Sequence, residues 1–84
     1  MATITHRKVK AARAVVPWTQ KDLAKAANLS VSTIADFERG AREPKPETLD
    51  AIEKAFWPRV LFVEGGIIYA ENNNLRAVRR EGYP

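Results

Sequence analysis

Between Ser30 and Lys45 the chain carries side chains suited to contacting a polyanion. Val31, Ser32, Thr33, Ala35 and Asp36 are short and mostly polar, and Arg39, Arg42 and Lys45 follow close behind. Hydroxyls and a carboxylate exchange hydrogen bonds with base edges, and a valine methyl suits a thymine methyl. Guanidinium and ammonium groups hold phosphates, which sets register without reading sequence. A helix made only for solvent more often carries Lys and Glu, whereas short side chains suit entry into a major groove about 12 Å wide. The plainer reading of the same residues is a helix whose hydroxyls satisfy its own first turn. In that reading Asp36 serves only to hold Arg39.

Other chemistries find little support. The chain has one histidine, His6, and no cysteine, which removes thiol catalysis, thiolate zinc sites and disulfides together. His6 has no second ligand at metal spacing and is expected to be solvated. Gly65-Gly66 sits in no strand-to-helix context and reads as a turn, not a phosphate loop. Glu47, Asp50 and Glu53 recur along one helix face, an ordinary solvated pattern. No catalytic residue, metal or cofactor is expected, and the chain does not read as an enzyme.

At 84 residues, 45% of them hydrophobic, the chain has the material for one domain with a thin core. Its formal charge is +4 and unevenly spread: residues 1–16 hold Arg7, Lys8, Lys10 and Arg13 with no acid. Arg76, Arg79 and Arg80 crowd the other end. Basic patches of this kind suit nucleic acid. No apolar run approaches the roughly 18 residues that span a bilayer, and the first residues hold no signal-peptide pattern. A cytoplasmic protein without membrane contact is expected.

The elements that must position these groups are legible in outline. Thr5 to Val16 places Val9, Ala12 and Val16 on one helical stripe, closed by Pro17. Thr19 caps a second helix, Asp22 completes a capping box, and Trp18 is placed to pack on Leu23 as a hydrophobic staple. Asn28 tolerates a left-handed backbone, Ser30 caps a short third helix with Ile34 and Phe37 inward, and Gly40 ends it. Pro46 opens a fourth helix along Leu49, Ile52, Ala55 and Phe56, stopped by Pro58. Val60–Val63 and Ile67–Ala70 flank Glu64-Gly65-Gly66 and read as a hairpin. The fold class is therefore mainly α, four helices followed by a C-terminal β-hairpin. Residues 1–57 form the helical domain, 58–71 the hairpin, and 72–84 a basic, flexible tail.

The link Asn28-Leu29-Ser30 is too short for the second and third helices to lie antiparallel, so they cross steeply. With Gln20, Leu23-Ala24 and Ala27 before it, Ser32-Thr33-Ile34-Ala35-Asp36-Phe37-Glu38-Arg39-Gly40 after it, and then Pro46, Thr48-Leu49 and Ile52, the pattern resembles the XRE family of helix-turn-helix regulators, to which lambda Cro and the phage repressors belong. The resemblance runs over residues 7–56. Asn28 replaces the family's turn glycine, and the family's extra helix after the fourth is missing. The resemblance implies double-stranded DNA as ligand, with Val31, Ser32, Thr33 and Asp36 at base-contacting positions. It places Gln20, Arg39, Arg42 and Lys45 at phosphates, and it implies that Arg13 and Glu38 pair inside the fold.

One short helix reads few base pairs, and the family answers with two-fold symmetry and half-sites about 10 base pairs apart. The hairpin is apolar on both alternating faces, and an isolated hairpin is marginal in water. Val60, Leu61, Phe62, Val63, Ile67, Ile68 and Tyr69 are thus expected to build a homodimer. The alternative is that the hairpin folds back over the first and fourth helices. The expected function is a DNA-binding transcriptional regulator, most simply a repressor at a pseudo-palindromic operator, in the bacterial cytoplasm or nucleoid and of a size that suits phages and mobile elements. A competing reading keeps the fold and makes it a protein-interaction module, such as an antitoxin or anti-activator, whose partner is a protein. Architectural DNA binding without sequence preference is disfavoured, because the basic residues are too few and too grouped.

Overall fold

The computed structural model describes residues 4–41, 43–70 and 78–82. Helices α1 (His6–Val15), α2 (Gln20–Ala27), α3 (Val31–Glu38) and α4 (Pro46–Phe56) precede strands β1 (Val60–Val63), β2 (Gly66–Ala70) and β3 (Val78–Gly82). The expected mainly helical domain with a following antiparallel hairpin is what forms.

Local chemistry accounts for the helix ends. Thr5 Oγ1 accepts the Lys8 N–H at 3.2 Å to open α1. At α2 the capping box is complete: Thr19 Oγ1 accepts the Asp22 N–H at 3.0 Å, and Asp22 Oδ2 accepts the Thr19 N–H at 2.9 Å. Ser30 Oγ accepts the Thr33 N–H at 3.0 Å to open α3. Each such cap is worth about 1 kcal/mol. α4 has Pro46 in its first turn and no side-chain cap, a position where the missing N–H of proline costs nothing.

Helices α2 and α3 close in the same way. Asn28 is left-handed at φ 57°; its N–H reaches Lys25 O at 3.3 Å while the Leu29 N–H reaches Ala24 O at 2.8 Å. Gly40 is left-handed at φ 68°; its N–H reaches Phe37 O at 3.0 Å and the Ala41 N–H reaches Asp36 O at 3.2 Å. These paired bonds make a Schellman closure at both ends of the segment that contains α3. Asparagine serves at the first site because its short polar side chain tolerates this backbone region.

The helices bury Val9 and Ala12 of α1, Leu23, Ala24 and Ala27 of α2, Ile34 and Phe37 of α3, and Ile52 and Phe56 of α4. The Trp18 ring lies 5.2 Å from that of Phe56, which in turn meets Phe62 edge-on at 5.6 Å. The sheet joins this core, packing on α1 through β2 and on α4 through β1. Lys8, itself buried, donates from Nζ to Val63 O at 2.5 Å and so ties α1 to the end of β1.

Strand register settles which hairpin face is inside. Val60 pairs with Tyr69, Leu61 with Ile68, Phe62 with Ile67 and Val63 with Gly66. Val60, Phe62 and Ile67 are buried in the domain's own core, with Tyr69 packed partly against it. The expectation that all seven apolar hairpin residues serve an interface is therefore corrected for Val60, Phe62 and Ile67. Side chains alternate across a strand, and the face bearing these three covers α1 and α4. Leu61 stays 41% exposed, and Val63 and Ile68 are half-buried.

A third strand was not legible in the sequence. Val78–Gly82 lies in the segment expected to be a flexible tail, yet it pairs antiparallel with β2, with Ile68 opposite Arg80 and Tyr69 opposite Arg79. The strand order is β1-β2-β3. β2 thus has both edges paired, which removes one open edge of the hairpin. Arg76 lies outside the described residues. No helix among the described residues is long and apolar enough to cross a membrane.

Candidate nucleic-acid interface

The packing of α2 against α3 is built from small and apolar residues. Ala24 is buried, and Leu29 sits partly buried in the link. Ile34 and Phe37 point into the core. At 3.6 residues per turn this leaves the opposite face of α3 outward. Val31 is 44% exposed, Ser32 is exposed, and Thr33, Ala35 and Asp36 are half-buried. The short polar surface read from the sequence is therefore presented, and no part of the described chain covers Val31 or Ser32.

Two of the four expected base-contacting residues already have partners. Thr33 Oγ1 lies 2.8 Å from Ser30 Oγ, so the pair shares a hydroxyl hydrogen bond at the helix start. Asp36 Oδ1 accepts from Arg39 Nη2, a surface ion pair one turn apart. Val31 and Ser32 show no such engagement. Lys45 is exposed at the start of α4. A notch of about 240 Å³ opens between α3 and the segment before α4, lined by Thr33, Asp36, Phe37, Glu43, Lys45 and Thr48 among others. Arg42 lies outside the described residues.

Behind the face, Arg13 and Glu38 form the pair that the resemblance implied. Arg13 Nε donates to Glu38 Oε2 at 2.6 Å and Nη2 to Oε1 at 2.8 Å. The third guanidinium nitrogen, Nη1, donates to Trp18 O at 3.0 Å. A two-pronged guanidinium–carboxylate contact fixes direction as well as distance, and here it ties α1 to the end of α3 and to the start of α2. The Glu38 side chain is 3% exposed and that of Arg13 21%. Burial pushes the Glu38 carboxyl up, but hydrogen bonds from Arg13 and Gln20 and the charges of Arg13 and Lys10 outweigh it, so it ends below the usual glutamate range. The hydrogen bond to Glu38 raises Arg13 further.

Gln20 is where sequence reasoning was incomplete. Its Nε2 donates to Glu38 Oε1 at 3.2 Å, so the amide expected at a phosphate is attached to the Arg13–Glu38 pair. No local signal could show this, since the two residues are 18 apart and on different helices. A primary amide has two N–H groups, and one engaged with Glu38 leaves the other to donate outward at the first turn of α2. His6 was expected to be solvated; instead its ring lies against Gly40, and Nδ1 is buried without a hydrogen-bond partner. The Thr19 amide and hydroxyl hold the Asp22 carboxyl below the usual aspartate range, so this acid stays charged at the end of α2 where the helix dipole favours it.

Residues 10–56 match the family model described as Helix-turn-helix. The match spans more than half of the chain, from within α1 to the end of α4, and the sheet lies outside it. A comparison with curated proteins finds none that matches the chain.

Proposed function

Because the chain belongs to the XRE-type helix-turn-helix family, we propose that it is a sequence-specific regulator of transcription that binds a pseudo-palindromic operator in double-stranded DNA as a homodimer. The observation that carries this reading is the outer face of α3, small and open at Val31 and Ser32 while Ile34 and Phe37 anchor it from behind. Val31 meets a thymine methyl, Ser32 bonds to a base edge, and Thr33 lies beside them. Gln20, with the amides at the α2 N-terminus, and Lys45 and Arg42 hold phosphates. Occupancy of the operator excludes polymerase, which makes the protein a repressor acting in the cytoplasm or nucleoid.

The dimer in this proposal uses the outer hairpin face, Leu61, Val63 and Ile68, since the inner one is occupied by the core. The exposed Trp57, at 62%, and Leu61 also favour a second reading, in which a protein partner takes the place of the second copy. Gel shifts against the DNA upstream of the gene, with nonspecific competitor, test the first reading. Specific retention at nanomolar protein, together with a dimer by light scattering, supports it; equal binding to competitor DNA refutes it. Replacing Lys45 by Ala is expected to weaken all sequences alike and to lower the salt slope by about 0.9 per protomer, about 1.8 for the dimer.

A further inference from the structure

Arg39 was assigned to the DNA backbone, yet its position fits a different task. At 3.6 residues per turn, Val31, Ala35 and Arg39 stand in one column on α3, and Ser32 and Asp36 in the next. Arg39 keeps the helical backbone conformation, φ −79° and ψ −11°, so its side chain leaves in phase with that column. Helical side chains lean toward the N-terminus and cover the preceding turn. For Arg39 that turn holds Ala35, whose methyl leaves room, and Asp36, whose carboxylate is in contact with Nη2. The guanidinium therefore lies over the preceding turn beside Asp36, on the outward side of α3.

The charge arrangement agrees. A lone carboxylate facing a phosphate-lined groove is repelled, whereas Asp36 engaged by Arg39 presents a neutral pair. The contact uses one of the five N–H donors of the guanidinium, and the Arg39 side chain is 68% exposed, so the remaining donors face solvent. Those donors match O6 and N7 of guanine, the commonest specific contact in a major groove.

We propose that Arg39 reads a guanine in the operator and that Asp36 is a positioning residue which aims it, in place of a base contact by Asp36 and a phosphate contact by Arg39. This rests on the DNA-binding reading above and adds a specificity determinant to it.

The test is binding-site selection from a randomised duplex pool by the full chain and by Arg39→Ala, Arg39→Lys and Asp36→Asn. Affinity for each single base-pair change and its salt dependence are then measured. The wild type is expected to select a G·C pair at one position of each half-site. Arg39→Ala should lose about 5- to 150-fold of discrimination there and keep its preferences elsewhere. Arg39→Lys should not restore it, because an ammonium lacks the planar fork. Asp36→Asn should lose part of the preference at the same pair and nowhere else. If Arg39→Ala weakens every sequence equally and lowers the salt slope by about 0.9 per protomer, Arg39 is a phosphate contact and the proposal is overturned. A preference lost at a different pair in Asp36→Asn also overturns it, since Asp36 then reads its own base. A wild type that selects no common sequence brings down the DNA reading itself, which separates the two failures.

Discussion

The Arg13–Glu38 pair offers the sharpest test of how the reading helix is held. Replacing Arg13 by Met removes both bonds to Glu38 and the bond to Trp18 O. The carboxylate, 3% exposed, is left with the Gln20 amide as its remaining described donor. Breaking one side of a buried pair costs about 3–5 kcal/mol, a large share of a stability of about 0.05–0.15 kcal/mol per residue. Glu38→Gln is the milder change. It keeps the shape and an acceptor for Arg13, and the guanidinium it leaves behind is a fifth exposed, so about 1–2 kcal/mol is expected. The double variant Arg13→Met with Glu38→Leu should recover much of the loss, because it leaves no buried charge unpaired.

Urea unfolding followed by circular dichroism, at pH 7 and at pH 4, reads these differences. The sign with pH follows from the direction of the Glu38 shift. In the wild type its pKa is lowered on folding, so its stabilisation is present above the unfolded value, about 4.3, and is lost as pH falls through the folded value. In Arg13→Met the same carboxyl keeps the burial that raises it and loses its main opposing partner, so protonation on acidification relieves a cost. The gap between the two proteins should therefore be widest near neutrality and shrink at pH 4. A gap that does not change with pH, or a Glu38→Gln loss larger than that of Arg13→Met, refutes the account of a charge held in place by its partner.

Three further outcomes follow from the geometry. Gly40→Ala should cost about 1–2 kcal/mol in thermal melts, since Gly40 is left-handed at φ 68°; the His6 ring 3.4 Å from the new methyl is in ordinary contact, so His6→Ala should leave that cost unchanged. Asn28→Gly should be neutral within about half a kcal/mol, whereas Asn28→Val at the same φ of 57° should cost about 1–2 kcal/mol. Phe62→Ala should destabilise by about 3–5 kcal/mol in urea, while Leu61→Lys on the opposite face should leave the core intact and, for the dimer proposed above, shift the light-scattering mass from dimer to monomer and remove any dependence of the midpoint on protein concentration.

What was legible in the sequence was local. The caps at Thr5, Thr19 and Ser30 each act over three residues, and Asn28 and Gly40 end helices through their own backbone preference, so residue type and spacing sufficed. The stripe of Leu23, Ile34 and Phe37 was legible for the same reason. What was missed needs partners distant in the chain. The segment Val78–Gly82 reads Val-Arg-Arg-Glu-Gly, with charges and a glycine where strands prefer branched and aromatic residues; its strand is made by the free edge of β2. Alternation in the hairpin gave two apolar faces but could not say which one the helices would cover, and that choice moved Val60, Phe62 and Ile67 from an interface to the core. The Gln20–Glu38 bond was hidden because it joins residues 18 apart on two different helices.

These corrections bear on how the two proposed roles, reading DNA and assembly, are divided in the molecule. α3 is bracketed by two identical left-handed closures, capped by Ser30 and fastened to α1 through Glu38, and it packs on α1 and α2. None of those contacts involves an outer residue of the hairpin. A side chain that must be held within about half an ångström to discriminate bases needs a rigid support, and here that support lies within the four helices. The sheet contributes Val60, Phe62 and Ile67 to stability and turns Leu61, Val63 and Ile68 away from the core. Substitutions at those outer positions can therefore change what the domain assembles with while the face at Val31 and Ser32 keeps its geometry.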